Sequence, residues 1–271
     1  MSKADLAKHL KVRPGSRLAL HERDADRALG WRKEDAEQVL ERNRQRLHEL
    51  QYKLYADGRY AVLVVLQGID ASGKDGALRH VISAFNPQGC TVTAFKQPSA
   101  LEQRHDYLWR VHANAPPRGT VGVFNRSHYE SVLVERVDGI VPQKVWDKRY
   151  GEINDFERLL IANDVHIVKL FLHISKDEQL RRFEDRLHDA AKQWKFEPGD
   201  LTERKKWPHY RAAFEDMLAR CSTPHAPWYC IPADRKWLRN LAVSQILREE
   251  MEGLPLRFPK PKYDPKKIRV R

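Results

Sequence analysis

Residues 61–75 read Ala-Val-Leu-Val-Val-Leu-Gln-Gly-Ile-Asp-Ala-Ser-Gly-Lys-Asp. The first six are apolar and rich in β-branched side chains, too few for an ordinary helix and without polar alternation, which is how a central parallel strand buried on both faces reads. Gly68 and Gly73 then stand five apart with Lys74 directly after, the spacing G-x-x-x-x-G-K. In that geometry glycines let backbone N–H groups turn inward around an anion, the next helix points its positive end at it, and the lysine reaches the outer phosphates. Gly68, Ala71, Ser72, Gly73, Lys74 and Asp75 are therefore the expected phosphate-binding residues, with a helix following over Gly76 to Phe85.

One position departs from the usual motif. Asp75 stands where a Ser or Thr hydroxyl ordinarily ligates Mg²⁺, and a second carboxylate, Asp70, lies inside the loop. Each repels a phosphate charge by roughly 4 kcal/mol at about 4 Å and an effective dielectric near 20. A cation must neutralise them. Mg²⁺, with Mn²⁺ as the alternative, takes carboxylate and phosphate oxygens into one shell.

At 271 residues the chain is long enough for one sizeable α/β domain, and two would be cramped. Lys plus Arg exceed Asp plus Glu by 49 − 37 = 12, which points to a polyanionic partner. Cys90, Cys221 and Cys230 form no C-x-x-C pair and suit a reducing cytosol. Neither a signal peptide nor a membrane-length apolar run is present, so a soluble, cytoplasmic protein is expected.

Residues 1–33 read as a polar, irregular arm, followed by an amphipathic helix over Glu34 to Ala56. Further strands are expected over Cys90 to Phe95, Thr120 to Phe124, Val165 to Ile174 and Trp228 to Ile231, making a parallel sheet of about five strands flanked by helices. Ser99-Ala100-Leu101-Glu102 reads as a capping box opening a helix to about Ala113; Ser175-Lys176-Asp177-Glu178 and Asp200-Leu201-Thr202-Glu203 read likewise. Helices over Gln143 to Ala162 and Arg235 to Glu252 complete the alternation. A basic helical hairpin, with nine Lys or Arg against six Asp or Glu between Arg181 and Arg211, precedes the last strand. There, a lid would bring arginines onto transferring phosphates. The third strand ends at Asn125-Arg126-Ser127-His128-Tyr129-Glu130, polar residues where open α/β sheets bind ligands. His128 and His173 have no partner at metal-ligand spacing, and structural roles are expected for both. The seven tryptophans are expected mainly to pack the core.

These motifs together resemble the family-2 polyphosphate kinases: Gly68 to Asp75, Phe124 to Glu130, Asp106-Tyr-Leu-Trp-Arg-Val-His112, Ala226-Pro-Trp-Tyr229 and Asp234-Arg-Lys-Trp237. The resemblance runs from about residue 35 to about residue 255. It implies a P-loop kinase core like that of thymidylate kinase, over residues 34–256 with a helical lid at about 178–215, between the arm and a basic tail at 257–271. It also implies reversible, Mg²⁺-dependent transfer of the terminal phosphoryl of polyphosphate to a nucleotide, by a dimer or tetramer. Residue by residue, Asp70 matches the carboxylate that handles metal and acceptor phosphate, Lys74 and Asp75 the loop's phosphate and metal contacts, and Arg126 the strand-tip arginine. Arg181 and Arg186 are the lid's expected phosphate contacts, either one matching the lid arginine; Asn125 stands where the family often has a second acid and is expected, with Asp70 and Glu130, to contact the nucleotide, Glu130 also sharing the metal. The tip sequence resembles the subgroup that accepts both AMP and ADP, with ATP as product. Two other readings compete: an ATP-dependent kinase of a small molecule or nucleotide, and a nucleic-acid-binding module, against which the dispersed basic residues argue.

Overall fold

The computed structural model describes residues 3–269. Strands β1 (Ala61–Gln67), β2 (Cys90–Ala94), β3 (Val121–Asn125), β4 (Val165–His173) and β5 (Trp228–Pro232) form one parallel sheet in the order β2-β3-β1-β4-β5. Every residue of β1 is buried. Val62, Val64 and Leu66 enter the core on one face, and Ala61, Leu63 and Val65 enter the core on the other. With two apolar faces to fill, the strand has no place for polar alternation. Strands β2 and β3 lie to one side of β1, and β4 and β5 to the other, so the chain changes direction beside β1 and a crevice opens at its carboxyl end.

Helices α1 (Leu6–Leu10), α2 (Lys33–Asp57) and α3 (Lys74–His80) cover the first face; α4 (Trp109–Ala113), α5 (Val134–Val137) and α6 (Gln143–Ala162) cover the second. The insertion before β5 comprises α7 (Lys176–His188), α8 (Gly199–Lys205) and α9 (Trp207–Cys221), and α10 (Lys236–Glu252) returns to the first face. Among the described residues, no helix is long and apolar enough to cross a membrane.

Local differences from the sequence expectation have local causes. The arm is not irregular throughout: Asp5 caps α1 by accepting from the Lys8 N–H, and Leu6, Ala7 and Leu10 enter the core. Val12 N–H then donates to the Trp228 carbonyl, stitching the arm to β5. The Ser99 capping box forms, with Ser99 N–H on Glu102 Oε2 at 2.6 Å and Glu102 N–H on Ser99 Oγ at 3.3 Å. It opens only a 3-10 turn over Glu102–Arg104, because Asp106 Oδ1 takes the Leu108 N–H and the chain restarts as α4. Asp200 is no cap: α8 begins at Gly199, and the Asp200 carboxylate accepts from the Glu197 N–H instead. The helix after the glycine loop starts at Lys74 and ends at His80, and a 3-10 turn over Ile82–Ala84 follows.

Candidate active site

The turn after β1 is shaped by close approach. A Cβ at Gly68 would sit 2.8 Å from the Leu172 carbonyl oxygen and 2.6 Å from Ser72 Oγ, so no larger residue fits. Ala71 and Gly73 take left-handed φ values of 62° and 104°, which curls the backbone around a centre. Ser72 Oγ is buried beneath with no hydrogen-bond partner. Lys74 folds over the loop, its Nζ donating to the Gly68 and Ile69 carbonyls at 2.6 and 3.2 Å. Burial, reinforced by the Arg126 charge, pushes the Lys74 ammonium down to about 8, although Asp70, Glu130 and Asp75 pull upward.

At the tip of β3, Arg126 holds a left-handed φ of 63°, which costs an arginine about 1–2 kcal/mol. Its guanidinium spans two acids, Asp70 Oδ1 at 2.5 Å and Glu130 Oε2 at 3.2 Å. Burial alone would weaken the guanidinium as a base, but Glu130 and Asp70 outweigh it and hold Arg126 firmly protonated. Gln67, the last residue of β1, donates to Glu130 Oε1 and accepts from Ser127 Oγ, which fixes the tip to the central strand. On the other flank, Asn125 Nδ2 and Lys195 Nζ each donate to Asp75 at 3.3 Å. Burial raises the Asp75 carboxyl, the Lys195 ammonium outweighs it, and the net displacement is downward.

The expected metal acids are thus divided: Asp70 and Glu130 share Arg126, whereas Asp75 belongs to Asn125 and Lys195. Among the described residues no three His, Cys, Asp or Glu side chains converge on one point. That donor set fits an ion held by one or two carboxylates and completed by phosphate oxygens and water, the ordinary manner of Mg²⁺ in phosphate sites, and not a closed protein cage.

Two openings meet at Asp70 and Arg126. The larger, a groove of ≈ 450 Å³, is lined by nine Lys or Arg side chains against three Asp, so its field favours an anion. The smaller, of only ≈ 20 Å³, shares that pair and is lined besides by the acids Glu130, Asp200 and Glu203, by Arg204, and by Val134, Tyr210 and Phe214. Arg186 lines the groove, with Asp200 at 3.6 Å. Arg181 does not: its guanidinium is exposed and pairs with Glu178 at 2.8 Å. Its neighbour Arg182 turns inward, donating to the Ala71 carbonyl at 2.8 Å and the Ala233 carbonyl at 2.6 Å. Gln179 donates to the Asp70 carbonyl, so α7 braces the outer wall of the loop.

Residues 30–257 match the model of the Polyphosphate kinase 2 (PPK2) family. The chain belongs to the polyphosphate kinase 2 family. It is 47% identical over 263 residues to the AMP/ADP-polyphosphate phosphotransferase of Meiothermus ruber, spanning 96% of this chain and 98% of that one. It is 46% identical over 239 residues to the ADP-polyphosphate phosphotransferase of Rhodopseudomonas palustris, spanning 84% and 83% of the two chains. The crystal structure of Polyphosphate Kinase 2 from Arthrobacter aurescens TC1 matches the fold at a TM-score of 0.92 and 42% identity, covering 96% of this chain and 94% of that one. A five-stranded parallel sheet with a glycine loop after its central strand is thus the P-loop kinase architecture of this family.

Within this polyphosphate kinase 2 chain, several groups at the site escaped sequence reasoning. Gln67, Arg182, Lys195 and Arg239 belong to it, yet none lies in a motif with a readable spacing. His128 is buried against Glu157, and His173 bonds the His21 carbonyl, which are the structural settings expected of them.

Proposed function

We propose that the protein transfers the terminal phosphoryl group of inorganic polyphosphate to AMP and to ADP, reversibly and with Mg²⁺. The observation that carries this reading is the basic groove over the glycine loop, which takes in Asp70, Lys74 and Arg126. The strongly basic groove suits a polyanion, and a nucleotide's terminal phosphate would meet the chain beside Asp70 and Arg126. The names of the Meiothermus ruber and Rhodopseudomonas palustris relatives support the same substrates. The tip Asn125-Arg126-Ser127-His128-Tyr129-Glu130, with the Meiothermus ruber name, supports acceptance of both AMP and ADP.

In the proposed step, an oxygen of the nucleotide's terminal phosphate attacks the terminal phosphorus of the chain. One P–O–P link forms as another breaks, so no water or redox partner is consumed. Arg126 touches both phosphates where the openings meet, and Lys74 holds the transferring group within the loop amides. Arg186 closes from the lid. Asp70, with Glu130 or Asp75, would hold Mg²⁺, which when bound would neutralise charge between the two anions. Asp75 also keeps Lys195, and with it the lid elbow, against the loop. The reading places the enzyme in the cytoplasm as a homo-oligomer, with its basic surface serving polyphosphate and not nucleic acid; none of its three cysteines is in a disulfide.

The test uses AMP, Mg²⁺ and long-chain polyphosphate: ADP and then ATP accumulate, and omitting polyphosphate stops both. ATP formed from ADP without polyphosphate would assign the site to exchange between nucleotides.

A further inference from the structure

Arg239, in the first turn of α10, is 3% exposed. Each of the other buried cations has an anion or carbonyls beside it: Lys169 has Glu157, Arg182 has Glu178, and Lys74 has two loop carbonyls. Among the described residues, Arg239 has only the neutral amide oxygen of Asn240, at 3.1 Å from Nε and 2.8 Å from Nη2. Burial, and then the like charge of Arg182, pushes its guanidinium down to about 10. A buried charge with no counter-ion is costly.

Space for it is kept by two glycines. A Cβ at Gly73 would lie 2.0 Å from Nη1, and one at Gly76 would lie 2.5 Å from Nη2. Gly76 sits inside α3, where alanine is the better helix former, and what glycine supplies there is clearance for the guanidinium. The guanidinium also lines the basic groove, on the part that the smaller crevice does not share.

We propose that Arg239 is a binding residue for the donor chain, gripping, from the groove wall where it packs on Gly73 and Gly76, phosphates behind the one being transferred. Its planar fork matches two phosphate oxygens at once and gains the counter-ion that the protein withholds. A preference for a chain over a short phosphate donor would follow from this contact. The inference rests on the reading of the groove as the polyphosphate site.

The test measures polyphosphate affinity by calorimetry in wild type, Arg239→Met, Gly76→Ala and the double variant, with melting temperatures alongside. Arg239→Met should weaken long-chain polyphosphate binding by about tenfold or more. KM for polyphosphate should rise with it while KM for ADP stays level. The melting temperature without ligand should hold or rise, since an unpaired buried charge has been removed. Gly76→Ala presses a methyl group on the guanidinium and should weaken binding in the same direction, adding nothing in the Arg239→Met background. Equal polyphosphate affinity in wild type and Arg239→Met, or loss of melting temperature with affinity unchanged, overturns the role of Arg239 alone. A wild type that does not bind polyphosphate overturns the donor assignment beneath it.

Discussion

Lys74 sets the pH at which the loop is charged. Burial lowers it from an ordinary 10.5 to about 8, so the native ammonium is intact below about pH 8 and is lost above it. Polyphosphate affinity should therefore fall as pH rises past about 8, and the step should vanish in Lys74→Met, as read by titrations across that range. Stability moves the opposite way. The burial cost is fully present below about pH 8 and is relieved between about 8 and 10.5, where the native state sheds its proton before the unfolded chain does. Arg126 is irreplaceable by lysine, because a point charge cannot span Asp70 and Glu130 as a fork does. Arg126→Lys should lower kcat by about 10²–10³ with an unchanged circular dichroism spectrum. Lys74 and Asp70 were readable in the sequence because the glycine loop is a local spacing. Arg182 was not, because its partner Ala71 lies 111 residues away and one residue of helix phase separates it from the exposed Arg181.

Among the elements, β1 was the most legible, since double burial leaves a run that no amphipathic helix shares. Helix starts were legible and helix lengths were not, as the real capping box at Ser99 and its single 3-10 turn show. The polar network behind the β3 tip was missed. Lys169 of β4 donates to Glu157 of α6 at 2.6 Å, to Tyr129 OH at 3.0 Å and to the Cys221 carbonyl at 2.6 Å, all buried. Its one sequence signal was a lysine amid Val-His-Ile-Val-Lys-Leu-Phe-Leu-His. This network anchors Tyr129, three residues beyond Arg126, to the sheet and to α6. Lys169→Met strands the Glu157 carboxylate and should cost about 3–5 kcal/mol in denaturant unfolding, with part recovered when Glu157→Leu is added.

At the scale of the molecule, the strand order β2-β3-β1-β4-β5 gathers the glycine loop, the arginine tip and the bracing helix α7 at one end of the sheet. A net charge of +12 was visible in composition, but its concentration in one groove required the fold, because α7 and the segment after it, the glycine loop and the last helix all contribute. The division into two openings was likewise invisible, since the smaller one borrows Tyr210 and Phe214 from α9 and Val134 from α5. In the proposed step the transferred phosphorus passes beside Asp70 and Arg126 directly from chain to nucleotide. The most direct test is a single turnover with polyphosphate carrying ³²P at its terminal phosphate, unlabelled AMP and Mg²⁺. Label should appear in the β-phosphate of ADP, and Lys74→Ala should reduce its rate by orders of magnitude; label that stays in polyphosphate or leaves as inorganic phosphate while ADP accumulates would contradict direct transfer.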